Sequence, residues 1–251
     1  MSQSVPKLVL LPGMDGTGDL LNRFVDALPA DFETKIVRYP TDECLSYSEL
    51  ANLLASSCAP SARFVLVAES FSTPLAVRYA ATKPPHLTAL VLCAGFAASP
   101  LNGWRRYFAS LLAPILFRVR LPEFTLKRWL IGPDAPDSLR KDVRTAVELV
   151  KPKVLASRFR AVLACDARAE LAQIAIPILY IQAERDRLIS ESCLIQIRRI
   201  KPEVIEVEID GPHLLFQREP AIAADAVAKF VRELSTTPAA YTSQTTPQRD
   251  P

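Results

Sequence analysis

Apolar positions along the chain fall into two alternating rhythms. Lys7 to Leu11 is a short apolar run; a glycine-rich loop follows, and then Leu20, Leu21, Phe24, Val25 and Leu28 recur at helical spacing, which predicts a strand, loop, helix unit. The same alternation recurs through "TKIVRYP", a helix around "SELANLLASSC", then "RFVLVA", a helix "TPLAVRYAATKP" and "LTALVLCAG". Apolar strands alternating with amphipathic helices predict an α/β fold with a mainly parallel sheet covered by helices on both faces.

From about Phe96 to Ala172 this alternation stops. Trp104, Tyr107, Phe108, Leu111, Leu112, Ile115, Leu116 and Val119 lie along one helical stripe, expected to kink or break near Pro114 and to form the core of a helical insertion or line the pocket beneath it. Further helices are expected around Phe124–Ile131, Ser138–Val150 and Val154–Cys165. The strand rhythm resumes in "IPILYIQAERD", then a helix around Glu191–Arg199, the strand "VIEVEID", the loop "GPH" and a last helix from about Ala221 to Leu234. The expected division is a core of residues 1–95 and 173–234, a helical cap of 96–172, and an aperiodic, disordered tail of 235–251.

Composition narrows the class. With 251 residues, 49% hydrophobic and 23% charged, the chain has the material for one sizeable globular domain. No window approaches the roughly 18 uninterrupted apolar residues of a membrane span, and the N-terminal stretch has no cleavage-site pattern, so a soluble cytoplasmic protein is expected. Cys44, Cys58, Cys93, Cys165 and Cys193 are odd in number, scattered and without a C-x-x-C pair, which suggests reduced thiols and neither a disulfide framework nor a metal site. A net charge of +3 with no basic run is no nucleic-acid footprint.

Candidate chemistry centres on "VLVAESFSTPL", Val65 to Leu75, where an apolar strand ends abruptly at Ser70 before small residues and a helix. The G-x-S-x-G pattern of a nucleophile turn reads Ala68-Glu69-Ser70-Phe71-Ser72 here. Ala68 and Ser72 are the next smallest choices where strand and helix approach closely. A serine hydroxyl needs a base, and the base needs an orienting group. Asp186 follows the strand "ILYIQA" and His213 follows "VIEVEI", giving the chain order Ser, Asp, His; Asp210 and Glu184 stand as alternatives to Asp186. His86 sits at the wrong end of its unit. Asp15 reads as a loop-stabilising group and Glu69 as a solvent-facing residue.

Over Lys7 to about Leu234 the sequence resembles the α/β-hydrolase superfamily through "LLPGMDGTG", "VLVAESFSTPL", "AERDRLI" and "DGPHLLFQREP". It is most similar to the small capped carboxylesterase and thioesterase branch, which includes pimeloyl-carrier-protein methyl ester esterases, and "LPGMDGTG" also resembles the hydrolase-like half of plastid phytyl ester and diacylglycerol acyltransferases. The resemblance implies Ser70 as nucleophile, His213 as general base and then acid, and Asp186 as its orienter. It implies an oxyanion hole from the backbone N–H groups of Met14 and Phe71, and no metal or organic cofactor.

Charge is unevenly divided. Phe96 to Glu170 holds fourteen Lys and Arg against seven Asp and Glu, a net +7, and the remainder carries −4. Such a segment either solvates its helix faces or attracts an acidic partner: an acyl carrier protein, a coenzyme A thioester or an anionic lipid surface. The implied reaction is hydrolysis of an acyl ester or thioester through an acyl-enzyme. The same triad would serve acyl transfer to an alcohol or cofactor-free perhydrolysis, and a catalytically silent binding module is the reading from another class.

Overall fold

Leu8 and Leu10 point to one side of their strand, Val9 and Leu11 to the other, and all four are buried. A strand buried on both faces needs cover on both faces, and this sheet has it. In the computed structural model, which describes residues 5–57, 62–101, 103–118 and 123–236, the chain runs β1 (Lys7–Leu11), α1 (Asn22–Ala27), β2 (Thr34–Ile36), α2 (Tyr47–Ser57), β3 (Phe64–Glu69), α3 (Thr73–Ala81) and β4 (Leu87–Cys93). After β4 come α4 (Gly103–Leu116), α5 (Glu123–Leu126), a π-helical turn Lys127–Ile131, α6 (Asp137–Glu148), α7 (Pro152–Ala164) and α8 (Arg168–Ala172). The last part is β5 (Ile178–Ala183), α9 (Glu191–Ile200), β6 (Ile205–Ile209), α10 (Leu215–Arg218) and α11 (Pro220–Thr236).

Among the described residues the strands form one six-stranded sheet in the order β2, β1, β3, β4, β5, β6, and every neighbouring pair is parallel. One apolar cluster joins Val9, Leu66 and Leu92 to α2, α3, α8 and α9; the other joins Leu8, Val65 and Val91 to α1, α10 and α11. This is the α/β architecture expected from the alternating rhythm. Because the strands are parallel, the residues after β1, β3, β5 and β6 all emerge at one edge of the sheet. His86, immediately before β4, lies at the opposite edge.

Between β4 and β5 the chain is helical, and the structure corrects two expectations there. α4 is not broken at Pro114 but runs on to Leu116. Proline at 114 removes the N–H that would bond the Ser110 carbonyl, and Arg160 Nε of α7 donates to that carbonyl instead, at 3.1 Å. The stripe from Trp104 to Leu116 also does not form a core: its large side chains face solvent. Val119 of that stripe lies outside the described residues. So does the expected tail beyond Thr236, whose first residues, 235 and 236, instead end α11.

Candidate active site

Each of the three chemistry-bearing side chains is delivered by the end of a different strand. Ser70 follows β3 directly, with φ of 48°, a left-handed conformation that holds a non-glycine residue at a cost of about 1–3 kcal/mol. The surrounding contacts hold it there. Thr73 Oγ1 donates to the Ser70 carbonyl at 2.8 Å and accepts from the Phe96 N–H at 3.0 Å, tying the turn to the loop after β4.

Asp186 sits in the turn after β5, and His213 follows the Gly211–Pro212 turn after β6. Ser70 Oγ lies 2.8 Å from His213 Nε2, and His213 Nδ1 lies 2.7 Å from Asp186 Oδ2. The other oxygen of Asp186 accepts from the N–H groups of Leu188 and Ile189 at 2.8 and 2.9 Å, which fixes the carboxylate plane. With Nδ1–H donating to Asp186, Nε2 turns its lone pair toward the Ser70 hydroxyl. The imidazole is buried, which lowers its pKa, but the charge and hydrogen bond of Asp186, with Glu69 behind, raise it on balance above its ordinary value. Of the alternatives to Asp186, Asp210 pairs with Arg185 and Glu184 is exposed.

The missing glycines of the turn have a structural sequel. Ser72 is fully buried; its hydroxyl donates to the Pro12 carbonyl and meets the Tyr39 hydroxyl at 2.7 Å, so the turn is fastened to the loop after β1. That loop carries Met14. Phe71 stands in the first turn after β3, where N–H groups have no intrahelical acceptor. Its carbonyl accepts from the Tyr47 hydroxyl at 2.8 Å, and the two rings stack with centroids 5.0 Å apart.

The loop after β1 is held from the other side by a residue the sequence did not single out. Arg158 of α7 is buried, and its guanidinium donates to the carbonyls of Met14, Asp15 and Pro40 at 2.9, 2.7 and 2.8 Å. Gly16, at φ of 71°, lies so close that a Cβ there would stand 2.5 Å from Arg158 Nη1. Burial pulls the guanidinium's pKa down. Asp15 is a loop-stabilising group, as expected: Oδ2 accepts from the Thr17 N–H at 2.9 Å and from its hydroxyl at 2.6 Å.

Glu69 is a correction. Rather than facing solvent it is buried behind Ser70: Oε2 accepts from Gln217 Nε2 at 3.2 Å, and Oε1 has no partner among the described residues. Burial pushes its pKa up to about 7. A strand covered on both faces has no solvent side for its last residue. A separate cavity of about 310 Å³, lined by the Asp19–Leu20 turn and by Leu139, Asp142 and Thr145 of α6, includes none of the three triad side chains.

A family model described as the alpha/beta hydrolase family matches residues 8–226. The chain belongs to the alpha/beta hydrolase family. Solved structures with the same fold include an esterase from Thermogutta terrifontis, 18% identical over 92% of this chain and 91% of that one, with a TM-score of 0.75. An enol-lactonase from Burkholderia xenovorans LB400 is 20% identical over 93% and 92%, with a TM-score of 0.71, and a bromoperoxidase from Bacillus anthracis is 16% identical over 90% and 92%, at 0.76. No curated protein matches in sequence. Family membership places the protein among hydrolases in the broad sense. Among the described residues of this alpha/beta hydrolase, no helix is long and apolar enough to cross a membrane.

Proposed function

We propose that the protein is a serine hydrolase that cleaves a carboxylic ester or thioester through an acyl-enzyme. The observation that carries the reading is the unbroken relay from Ser70 through His213 to Asp186, with Ser70 held in a left-handed turn at the head of a helix. Ser70 Oγ attacks the acyl carbon as its proton passes to His213 Nε2, and the N–H groups of Met14 and Phe71 hold the oxyanion. The imidazolium then protonates the departing alcohol or thiol, leaving the acyl group on Ser70. Water gives a proton to His213 and its oxygen to the acyl carbon, and the returning proton frees Ser70 and the acid.

The fold of the esterase and the lactonase supports ester substrates, and the bromoperoxidase shows the same fold under another name. Residues 96–172 serve as a cap over a core of 1–95 and 173–234. The exposed Lys141 and Arg144 of α6 are the cap cations best placed for an acyl carrier protein or coenzyme A thioester. Three buried, reduced thiols, Cys93, Cys165 and Cys193, suit a cytoplasmic location.

A fluorophosphonate should label Ser70, and Ser70→Ala and His213→Ala should each abolish turnover of a panel of nitrophenyl esters, carrier-bound esters and coenzyme A thioesters. The double variant should be no worse than either single one, because nucleophile and base act as a unit. Labelling elsewhere, or additive losses, would sink the assignment. Turnover only with added alcohol would replace hydrolysis by acyl transfer.

A further inference from the structure

The helix α4 is built inside out. Its small residues face the protein: Ala113 is fully buried and Ala109 and Ser110 half-buried where α4 packs along α7. Its large apolar residues face outward, with Trp104, Tyr107, Phe108, Leu111, Leu112 and Ile115 each between 52% and 72% exposed. In helical projection these six fill one continuous arc opposite Ala113. Single exposed apolar side chains are ordinary, but a helix face made of them marks an interaction surface.

Charge identifies what covers it. No Asp or Glu occurs anywhere between Glu69 and Glu123, whereas Arg105, Arg106 and Arg118 sit exposed in and just after the helix. An apolar face with aromatic rings at its N-terminal end and only cations beside it complements an anionic lipid surface. Tyrosine and tryptophan prefer the boundary between headgroups and acyl chains, where one end of the ring stays wet. At 14 residues the helix is about 21 Å long, enough to lie in that boundary and too short to span it. The Arg160 donation to the Ser110 carbonyl and the small-residue seam hold it as a ridge against α7, so it can meet a surface without leaving the protein.

We propose that α4 is a membrane-docking ridge that seats the protein on an anionic bilayer, inserting Trp104, Phe108, Leu111 and Ile115 while Arg105 and Arg118 pair with lipid headgroups. β3 and β4 are paired in parallel with Glu69 opposite Cys93, so the segment leading to α4 leaves the sheet beside Ser70. Docking therefore brings the bilayer to the side of the molecule that carries the candidate site. The proposal does not depend on Ser70 being a nucleophile.

The test is co-sedimentation of the full chain with extruded vesicles of phosphatidylcholine containing about one-third phosphatidylglycerol, beside vesicles of phosphatidylcholine alone. Wild type is expected to pellet with the anionic vesicles, less with the neutral ones and less at high salt. Leu111→Ser with Ile115→Ser should lower the partition coefficient by at least about tenfold. Arg105→Glu with Arg118→Glu should lower it by about fivefold or more per arginine on the anionic vesicles alone. Unchanged far-ultraviolet circular dichroism and an unchanged melting midpoint in both variants verify their fold. As a check independent of those variants, the Trp104 emission in a Trp129→Phe protein should shift to the blue on adding anionic vesicles. Wild type remaining in the supernatant, or pelleting unchanged by either pair of substitutions, would overturn the proposal. So would a dimer in light scattering that the Leu111 and Ile115 substitutions dissolve, which would make the face a self-interface.

Discussion

Glu69, a carboxyl group with one oxygen unpaired among the described residues, lies buried against the Ser70 turn. Because the folded-state pKa of Glu69 is about 7, above the ordinary 4.5, the stability tied to its protonation is complete below the lower value and lost as pH rises through the upper one. That window is worth on the order of 3 kcal/mol. Glu69→Gln, which keeps the shape and cannot ionise, should therefore melt higher than wild type at about pH 8 and similarly at about pH 5; an equal difference at both would show that the group does not titrate there. The same substitution removes a negative neighbour that raises the His213 pKa, so the acidic limb of the kcat/KM profile should move to lower pH. Arg158 is the second such residue, a positioning group that holds the Met14 loop by three carbonyls. Arg158→Lys keeps the charge but cannot reach all three, and it should lower kcat by about 10²-fold with little change in KM, the signature of a misplaced oxyanion donor. A KM effect with kcat intact would assign Arg158 to substrate binding instead. Neither residue stood out in the sequence: Glu69 ends a strand whose apolar run hid that it had no solvent face, and Arg158 looks like any cation on an amphipathic helix.

The elements around Ser70 explain how the turn forms without its glycines. Ala68 meets the demand for little bulk, and Ser72 turns the lost glycine into a fastening between the turn, Pro12 and Tyr39. Ser72→Ala should leave the Pro12 carbonyl short of a donor and lower stability by about 1–3 kcal/mol, read as a reduced midpoint in urea; an unchanged midpoint would mean that the carbonyl finds another donor. The strand and helix rhythm was readable because each inner strand needs apolar residues on both faces and each covering helix on one. The order Ser70, Asp186, His213 was readable too, since parallel strands deliver the residues that follow them to one edge. What periodicity could not reveal was the orientation of α4. A stripe at helical spacing specifies that an apolar face exists, while the side it turns to depends on whether small residues such as Ala109 and Ala113 or large ones fit against α7. Pro114 misled for a related reason, because the donor that replaces its missing N–H comes from Arg160, a partner distant in sequence.

At the scale of the whole molecule, the candidate site is an assembly of distant parts. The Ser70–His213 contact spans 143 residues of chain, and so does the hold of Arg158 on Asp15. A ribosome adding about 5–20 residues per second needs roughly seven to thirty seconds to cover such an interval. Throughout the interval from Ser70 to His213 the serine hydroxyl is already made while the imidazole is not, and over the earlier interval from Asp15 to Arg158 the Met14 loop has no guanidinium to shape it. The nascent protein therefore lacks the Ser70–His213 contact until only α10 and α11 of the described elements remain to be made. A fragment released early would hold Ser70 in its left-handed turn with no imidazole beside it.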